Sequence, residues 1–271
     1  MSAVSRLHQL LSDDNVGLDR PLAVVASLDP VDPSRPDGDD ADPVAVTEAA
    51  VVAALDHLAD GCPDPADPQT LFDHVYGALG FSGNLNDYYD PANSLLDRVI
   101  ERRRGIPLSL AVVVSEIGRR HGRDYRPVGM PGHVLVGEGP TPNRWFDPFN
   151  RGIALGMDDC RALFGRLHPI EAFDERMLRP MTTLEVCIRT LNNLRIAYGR
   201  RGELSRIVPL LALQADLPTG RLEHRVELAE LLSVLGRFDQ AAVQYGRLSE
   251  QDPSRREAHL ERQQACLANR N

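Results

Sequence analysis

Two residues capable of acid–base chemistry, His133 and Asp147, lie on either side of a loop that is rich in turn-forming residues. The segments HVLV and RWFD are typical of strands, and the loop GEGPTPN between them contains two glycines and two prolines, which predicts a hairpin. Symmetric pairing about this loop places Val136 opposite Arg144 and His133 opposite Asp147. Directly opposed residues have Cβ atoms about 4.5–5.5 Å apart, so the carboxylate can orient the imidazole. A slip of one residue would place them on opposite faces.

An imidazole oriented by a carboxylate is the base of many nucleophilic sites, which raises the question of the nucleophile. The four cysteines are far apart, and their spacing predicts neither a zinc site nor a disulfide framework. We interpret each as a small core hydrophobe. A metal site at His133 and Asp147 lacks a third ligand of suitable spacing, so we expect no metal and no cofactor. The cysteines are Cys62, Cys160, Cys187 and Cys266.

The residues before the hairpin predict two helices. Residues 108–121 are apolar on almost every side, which is typical of a buried helix. Pro107 suits its first turn. Ser109 is the nearby hydroxyl, either as a capping or back-bonded group or as the nucleophile of a Ser109–His133–Asp147 triad. The preceding helix is predicted to be capped by Asn93 or Ser94.

Five sequence words occur in order between Gly80 and Asn150: GFSGN, YYDPANSLL, ERRRGIPLSL, PGHVLV and FDPFN. Through them this stretch resembles the SirB-type branch of the transglutaminase-like superfamily. The resemblance implies a transglutaminase-like, papain-type core in which a buried helix packs on an antiparallel sheet. In catalytic members a cysteine begins that helix, a histidine lies on the next strand and an aspartate on the strand after.

His133 and Asp147 match the second and third positions of that catalytic set. The cysteine position falls at about Pro107, and Ala111 matches the small residue one turn later. Proline has nothing to ionise, so the resemblance excludes the thiol mechanism unless the distant Cys160 folds into the site. Arginines 102–104 flank this turn as a solvated basic face or as an anion site. The residues that we expect to bind a ligand around this cleft are Asn93, Arg103, Pro107 and Trp145.

The sequence patterns, together with the core that the resemblance implies, divide the chain into three parts and predict an α+β fold. Residues 1–80 form a helical N-terminal region packed on the core, which includes a helix that Thr47 caps and Gly61 ends. Residues 81–180 form the transglutaminase-like core with its antiparallel sheet. Residues 181–271 form a tetratricopeptide-like helical pair.

The C-terminal part contains an internal repeat of 34 residues, the period of tetratricopeptide helix pairs. Gly202 and Gly236 fall at its turns, where a positive φ is expected. Such repeats offer a concave surface to a peptide, or they complete the fold as a cap; two units are few for a free-standing array, so we expect them to dock on the core. Leu194, Tyr198, Gly202, Ile207 and Leu211 recur as Leu228, Leu232, Gly236, Ala241 and Tyr245.

The composition restricts the class of partner. A net charge of −9 and a pI near 5.4 argue against nucleic acid or an anionic membrane as the main partner. Part of the acid excess lies in residues 29–43, DPVDPSRPDGDDADP, which predict a loop. No segment has the length and apolarity of a membrane span or of a signal peptide, so we expect a cytoplasmic protein.

Our leading prediction is a non-catalytic transglutaminase-like protein, a pseudoenzyme that acts as a protein- or peptide-binding scaffold. The partner would bind through the helical repeats or the core cleft. In that cleft His133 and Asp147 would serve as recognition groups or as a structural strap. The alternative is an enzyme that performs acyl transfer or amide hydrolysis without a cysteine, through Ser109, His133 and Asp147.

Overall fold

The computed structural model describes residues 1–13, 15–29, 42–64 and 67–269, and most of the loop predicted at 29–43 lies outside these ranges. Two compact units are present, Met1–Asn193 and Leu194–Asn271. Within the described ranges, no helix combines the length and the apolar character needed to cross a bilayer.

The N-terminal region is helical, as predicted. Asp42 caps its longest helix by accepting a hydrogen bond from the Val44 N–H, and Pro43 occupies the first helical position. The expectation that Thr47 caps this helix is wrong, because Thr47 lies in its second turn and donates its hydroxyl to the Pro43 carbonyl. Gly61 does end it. The elements are α1 Ala3–Leu11, α2 Asp19–Ala26, α3 Pro43–Asp60, α4 Pro68–Asp73 and a π-helical turn His74–Ala78.

The predicted buried helix is confirmed. It begins at Pro107, and every residue from Pro107 to Gly118 is buried. Arg103 is the C-cap of the preceding helix and adopts the left-handed conformation with φ 56°. The N-cap of that helix is Leu95 and not the predicted Asn93 or Ser94. These elements are β1 Ser82–Gly83, a 3₁₀ turn Pro91–Asn93, α5 Leu96–Arg102, β2 Arg104–Gly105, which pairs in parallel with β1, and α6 Pro107–Arg120.

The predicted antiparallel sheet is also confirmed; its strands pair in chain order, and α6 packs on the first two. The predicted hairpin register is wrong by two residues, because Val136 pairs with Phe146 and not with Arg144. Side chains alternate with a period of two, so this shift keeps each residue on its expected face. The strands are β3 Tyr125–Val128, β4 Leu135–Glu138, β5 Trp145–Asp147 and β6 Ile153–Leu155.

An apolar cluster lies between the sheet and the helix α7, Met157–Leu167. Cys160 and Phe164 of α7 are fully buried there. The same cluster contains Trp145, the single tryptophan of the chain. The remaining buried members are Val128, Met130, Leu135 and Leu178.

The C-terminal unit is made of helices whose starts repeat every 34 residues, from Leu204 to Phe238 and from Leu222 to Arg256. Gly202 and Gly236 have φ values of 70° and 71°, which confirms the predicted left-handed turns. The assignment to the tetratricopeptide family stays a prediction. The helices are α8 Thr183–Arg200, which extends from the first unit, α9 Leu204–Asp216, α10 Leu222–Val234, α11 Phe238–Gln251 and α12 Arg256–Ala268.

Candidate functional site

A tight turn places His133 at the entrance to β4. The His133 N–H donates to the Met130 carbonyl at 3.0 Å, which closes a four-residue turn with Pro131 and Gly132 at its centre. Gly132 has a φ of 75°. Proline followed by a residue of positive φ is the combination of a type II turn, in which glycine suits the second central position. The word PGH therefore positions the imidazole through backbone geometry.

Asp147 ends β5 and begins the 3₁₀ turn Pro148–Asn150. One carboxylate oxygen, Oδ1, accepts hydrogen bonds from the N–H groups of Phe149 at 2.9 Å and Asn150 at 3.2 Å. The other oxygen, Oδ2, accepts from the Asn150 side-chain amide at 2.6 Å. Hydrogen bonds from Phe149 and Asn150 therefore hold both oxygens of the carboxylate independently of the His133 imidazole.

The structure brings His133 and Asp147 together, with Nε2 3.0 Å from Oδ1. The distance is that of a hydrogen bond, but the ring N–H is not well aligned with the oxygen, so the contact is a close electrostatic one. Burial raises the pKa of Asp147, but the nearby His133 imidazole and the hydrogen bonds from Asn150 and Phe149 outweigh this effect and leave the Asp147 pKa below its ordinary value. About 15 % of the His133 side chain is exposed, and Nδ1 is the ring nitrogen not engaged with Asp147.

A tyrosine that the sequence did not single out lies in the electric field of the Asp147 carboxylate. Tyr76 sits on the π-helical turn and is almost completely buried. Burial, together with the nearby negative charge of Asp147, raises the pKa of the Tyr76 phenol. Its hydroxyl makes no hydrogen bond to any residue that the structure describes. Short π-helical segments are frequent at functional sites, and this one places the phenol where the charge of Asp147 acts on it.

Ser109 forms a buried bridge at the start of α6. Its hydroxyl donates to the Asn93 carbonyl at 2.6 Å and accepts from the Ile106 N–H at 3.0 Å. Asn93 is itself fully buried and receives a hydrogen bond from the Asn84 side-chain amide at 3.0 Å. The structure therefore groups Ser109 with Asn93, and the serine proton is directed at a carbonyl and not at the His133 imidazole.

Because both hydrogen-bonding functions of Ser109 are in use, we expect no stoichiometric labelling of the native protein by a fluorophosphonate probe. We expect Ser109→Ala to lower the free energy of unfolding by roughly 1–3 kcal/mol, since it leaves the buried Ile106 N–H without its acceptor. Intact-mass spectrometry after incubation with the probe measures labelling, and urea denaturation measures stability. Stoichiometric labelling that Ser109→Ala abolishes would contradict this expectation and restore the triad.

No thiol is available in a reactive form. None of the four cysteines is on α6, and all four are buried. Burial, with a small contribution from Asp159, raises the pKa of Cys160 to about 11, and burial raises that of Cys187 to about 12. Reactive cysteines instead have lowered pKa values and partial exposure. Pro107, at the position that the resemblance assigns to the nucleophile, is buried at the first position of α6.

Two further residues that were expected to bind a ligand, Trp145 and Arg103, contact other residues of the fold. The Trp145 ring is buried in the core cluster, and its indole N–H faces the Leu178 carbonyl at 3.4 Å. The Arg103 guanidinium lies 4.9 Å from the centre of the Phe81 ring. One Arg103 nitrogen, Nη1, is buried with no hydrogen-bond partner among the described residues, and burial lowers the Arg103 pKa.

A groove of about 440 Å³ lies next to the turn that holds His133. Arg189 of α8 lines it and donates to the His133 carbonyl at 3.3 Å. Arg189 also acts electrostatically on the hydroxyl of Tyr88, whose ring lies edge-on 6.1 Å from that of Phe149. Tyr88 occurs in the word YYDPANSLL, which could have indicated it. No local signal marks Arg189, because it lies 56 residues from His133.

Comparison with known proteins identifies relatives in bacteria and animals. A UPF0162 protein of Xylella fastidiosa is 38% identical over 142 residues, which cover 49% of this chain and 49% of that protein. A UPF0162 protein of Pseudomonas aeruginosa is 30% identical over 196 residues, 64% of this chain and 70% of that protein. Human F-box only protein 21 is 29% identical over 163 residues, 57% of this chain and 25% of that protein. The chain spans about half the length of the Xylella relative that it matches.

The comparisons do not test the finer SirB-type assignment, which stays a prediction. The family model described as "Transglutaminase-like superfamily" matches residues 48–192, which is more than half of the chain. This range includes α6, the sheet, His133, Asp147 and the groove-lining Arg189. The chain therefore belongs to the transglutaminase-like superfamily.

Proposed function

We propose that this protein is a transglutaminase-like protein that binds a peptide segment and carries out no cysteine-dependent acyl transfer. The observation that carries the proposal is the groove of about 440 Å³ that reaches Arg189, the residue bonded to the His133 carbonyl. Ligand sites in proteins commonly have volumes of about 300–1,000 Å³ and an apolar lining with a few polar groups. The groove fits that range in volume. Its lining is divided evenly between apolar or glycine residues, which are Gly129, Pro131, Met177, Met181 and Ile188, and polar or charged residues, which are Arg176, Arg179, Glu185, Arg189 and Asn192.

The chemistry around His133 supports binding over catalysis. An imidazole with a carboxylate partner needs a nucleophile within hydrogen-bond reach to act as a general base. The cysteines are buried, and the Ser109 hydroxyl bonds to Asn93 and Ile106. In this proposal His133 and Asp147 fix the wall of the cleft, and the exposed part of the imidazole is a polar contact for the ligand.

The lining of the groove supports a peptide as its occupant. Its apolar members come from three places in the chain, and two are methionines, whose flexible thioethers adapt to different side chains. Such surfaces recur in proteins that accept short apolar peptide segments. The apolar lining residues are Pro131, Met177, Met181 and Ile188.

Selection of a phage-displayed peptide library on the full chain tests the proposal. We expect selected peptides to lose about tenfold in affinity, by fluorescence anisotropy, when Ile188→Arg fills the groove. The matched control is Ile196→Arg, the same substitution two turns later on α8 at a half-exposed position that does not line the groove. It should leave the affinity within about twofold. Failure to select any peptide, or equal effects of both variants, would contradict the proposal.

A further inference from the structure

Among the residues that the structure describes, one arginine of the groove has no carboxylate partner. Three arginines line it, Arg176, Arg179 and Arg189. The Arg176 Nε donates to Asp174 Oδ2 at 2.8 Å, and the Arg179 Nη1 donates to Glu185 Oε2 at 2.9 Å. These two guanidinium groups are therefore already neutralised by carboxylates of the same chain.

Arg189 differs from them. Within the described part of the chain, no carboxylate lies at ion-pair distance from it, and its hydrogen bond goes to the neutral carbonyl of His133. Burial lowers the Arg189 pKa, and the nearby Tyr88 phenol raises it only in part. Burial also raises the pKa of Tyr88, so this phenol is neutral and cannot act as the counter-ion. A half-buried guanidinium without a counter-ion is unfavourable unless a ligand supplies the charge.

The groove of about 440 Å³ that Arg189 lines leaves room for such a ligand. Arg189 packs closely on Gly129, where an added Cβ would lie 3.1 Å from Arg189 Nη1 and 2.9 Å from Met181 Sδ. A guanidinium presents parallel N–H groups that match the two oxygens of a carboxylate. The groove therefore offers one guanidinium that has no carboxylate partner among the described residues, and the apolar side chains of Met177, Met181 and Ile188 line the same groove.

We propose that the groove recognises an acidic side chain, Asp or Glu, flanked by apolar residues in the bound peptide, and that Arg189 is its partner. This inference rests on the proposed function. A side chain is favoured over a chain terminus, because a terminal carboxylate is typically captured by successive backbone N–H groups, whereas this groove supplies a guanidinium.

Two synthetic probes test the inference, acetyl-Leu-Glu-Leu-amide and acetyl-Leu-Gln-Leu-amide. Titrated into the full chain and followed by the arginine Nε–Hε signals in NMR spectra, the Glu peptide should bind about tenfold more tightly and shift the Arg189 signal. Added salt should reduce the difference. A third peptide, acetyl-Leu-Gln-Leu with a free C-terminal acid, measures whether a terminal carboxylate serves equally.

Matched variants assign the effect to one guanidinium. Arg189→Gln should abolish the preference for the Glu peptide, and Arg189→Lys should retain part of it because the charge remains. Arg176→Gln removes the same charge from the same groove but from an arginine that Asp174 already neutralises, so the preference should persist. Circular dichroism shows whether each variant is folded. If Arg189→Gln does not fold, Arg189→Lys still tests the role of the guanidinium.

The inference is overturned if the Glu and Gln peptides bind equally, if neither binds, if the free-acid peptide replaces the Glu peptide, or if Arg176→Gln matches Arg189→Gln. Its failure is distinguishable from that of the proposed function. Library peptides that lack Asp and Glu yet depend on Ile188 would leave peptide binding intact and remove only the role of Arg189.

Discussion

Replacement of Gly152 by alanine should lower the free energy of unfolding of the first compact unit by about 3 kcal/mol or more. Gly152 has a φ of 76°, which an L-residue adopts only at a cost. A Cβ there would also lie 2.4 Å from the ring of Phe72, which is buried in the core. The backbone strain and the steric clash act at the same position. Because Gly152 follows the turn that holds Asp147, we expect the substitution to disturb the His133–Asp147 site as well as the fold.

The measurement is urea denaturation followed by the fluorescence of Trp145, the single tryptophan, which reports on the core of the first unit. Gly139→Ala is the matched control. Gly139 has a similar φ of 78°, and its N–H donates to a backbone carbonyl. Apart from its chain neighbours, no described residue has an atom within 4 Å of the added Cβ. Gly139→Ala should cost about 1 kcal/mol. Equal losses in the two variants would show that contact with Phe72 contributes nothing.

Removal of the Asp147 carboxylate should have the second large effect, roughly 2–4 kcal/mol for Asp147→Ala. The carboxylate accepts three hydrogen bonds from Phe149 and Asn150 and lies beside the His133 imidazole. Asp174→Ala is the control, because Asp174 begins a 3₁₀ turn in the same way at a more exposed position. It should lose much less stability in the same urea experiment, and a comparable loss would contradict the special role of Asp147.

The effect of Asp147 should depend on pH with a defined sign. Its folded-state pKa is lowered from the ordinary value of 3.8, so its ionised form stabilises the native state. That contribution is present above pH 3.8 and is lost as the pH falls through the lower folded-state value. The stability difference between the wild type and Asp147→Asn should therefore shrink in acid. A difference that grows in acid would contradict the assigned direction.

The Asp147 variants also separate the two roles left open for the His133–Asp147 pair. If the pair is only a structural strap, Asp147→Asn should change stability and leave the affinity for groove peptides unaltered. If His133 contacts the ligand, loss of its orienting carboxylate should weaken peptide binding under conditions where the variant is still folded. Anisotropy titrations in buffer without urea, at a pH near 7, compare the two cases directly.

The proximity of His133 and Asp147 was predictable because both flank one short hairpin. The register was two residues in error, so Asp147 lies opposite Leu135 when the pairing is extended, and His133 reaches it diagonally. Diagonal neighbours are about 7–8 Å apart, within the reach of an imidazole. Because the register error is an even number of residues, both side chains stay on the same face of the sheet. The turn at Gly132 then positions the His133 imidazole near Asp147.

The sequence by itself determined the local features: the buried helix, the antiparallel hairpin, the left-handed glycines of the C-terminal unit and the absence of a cysteine on α6. These depend on periodicity, on turn chemistry and on residue identity, all of which act over a few neighbouring positions. The tertiary structure alone decided that Ser109 donates to Asn93, that Tyr76 lies near enough to Asp147 to be influenced by its charge, and that Arg189 reaches the His133 carbonyl. It also decided that Arg189 has no carboxylate partner among the described residues. These pairs are 16 to 71 positions apart in the chain, and their geometry arises only when the helices pack around the sheet.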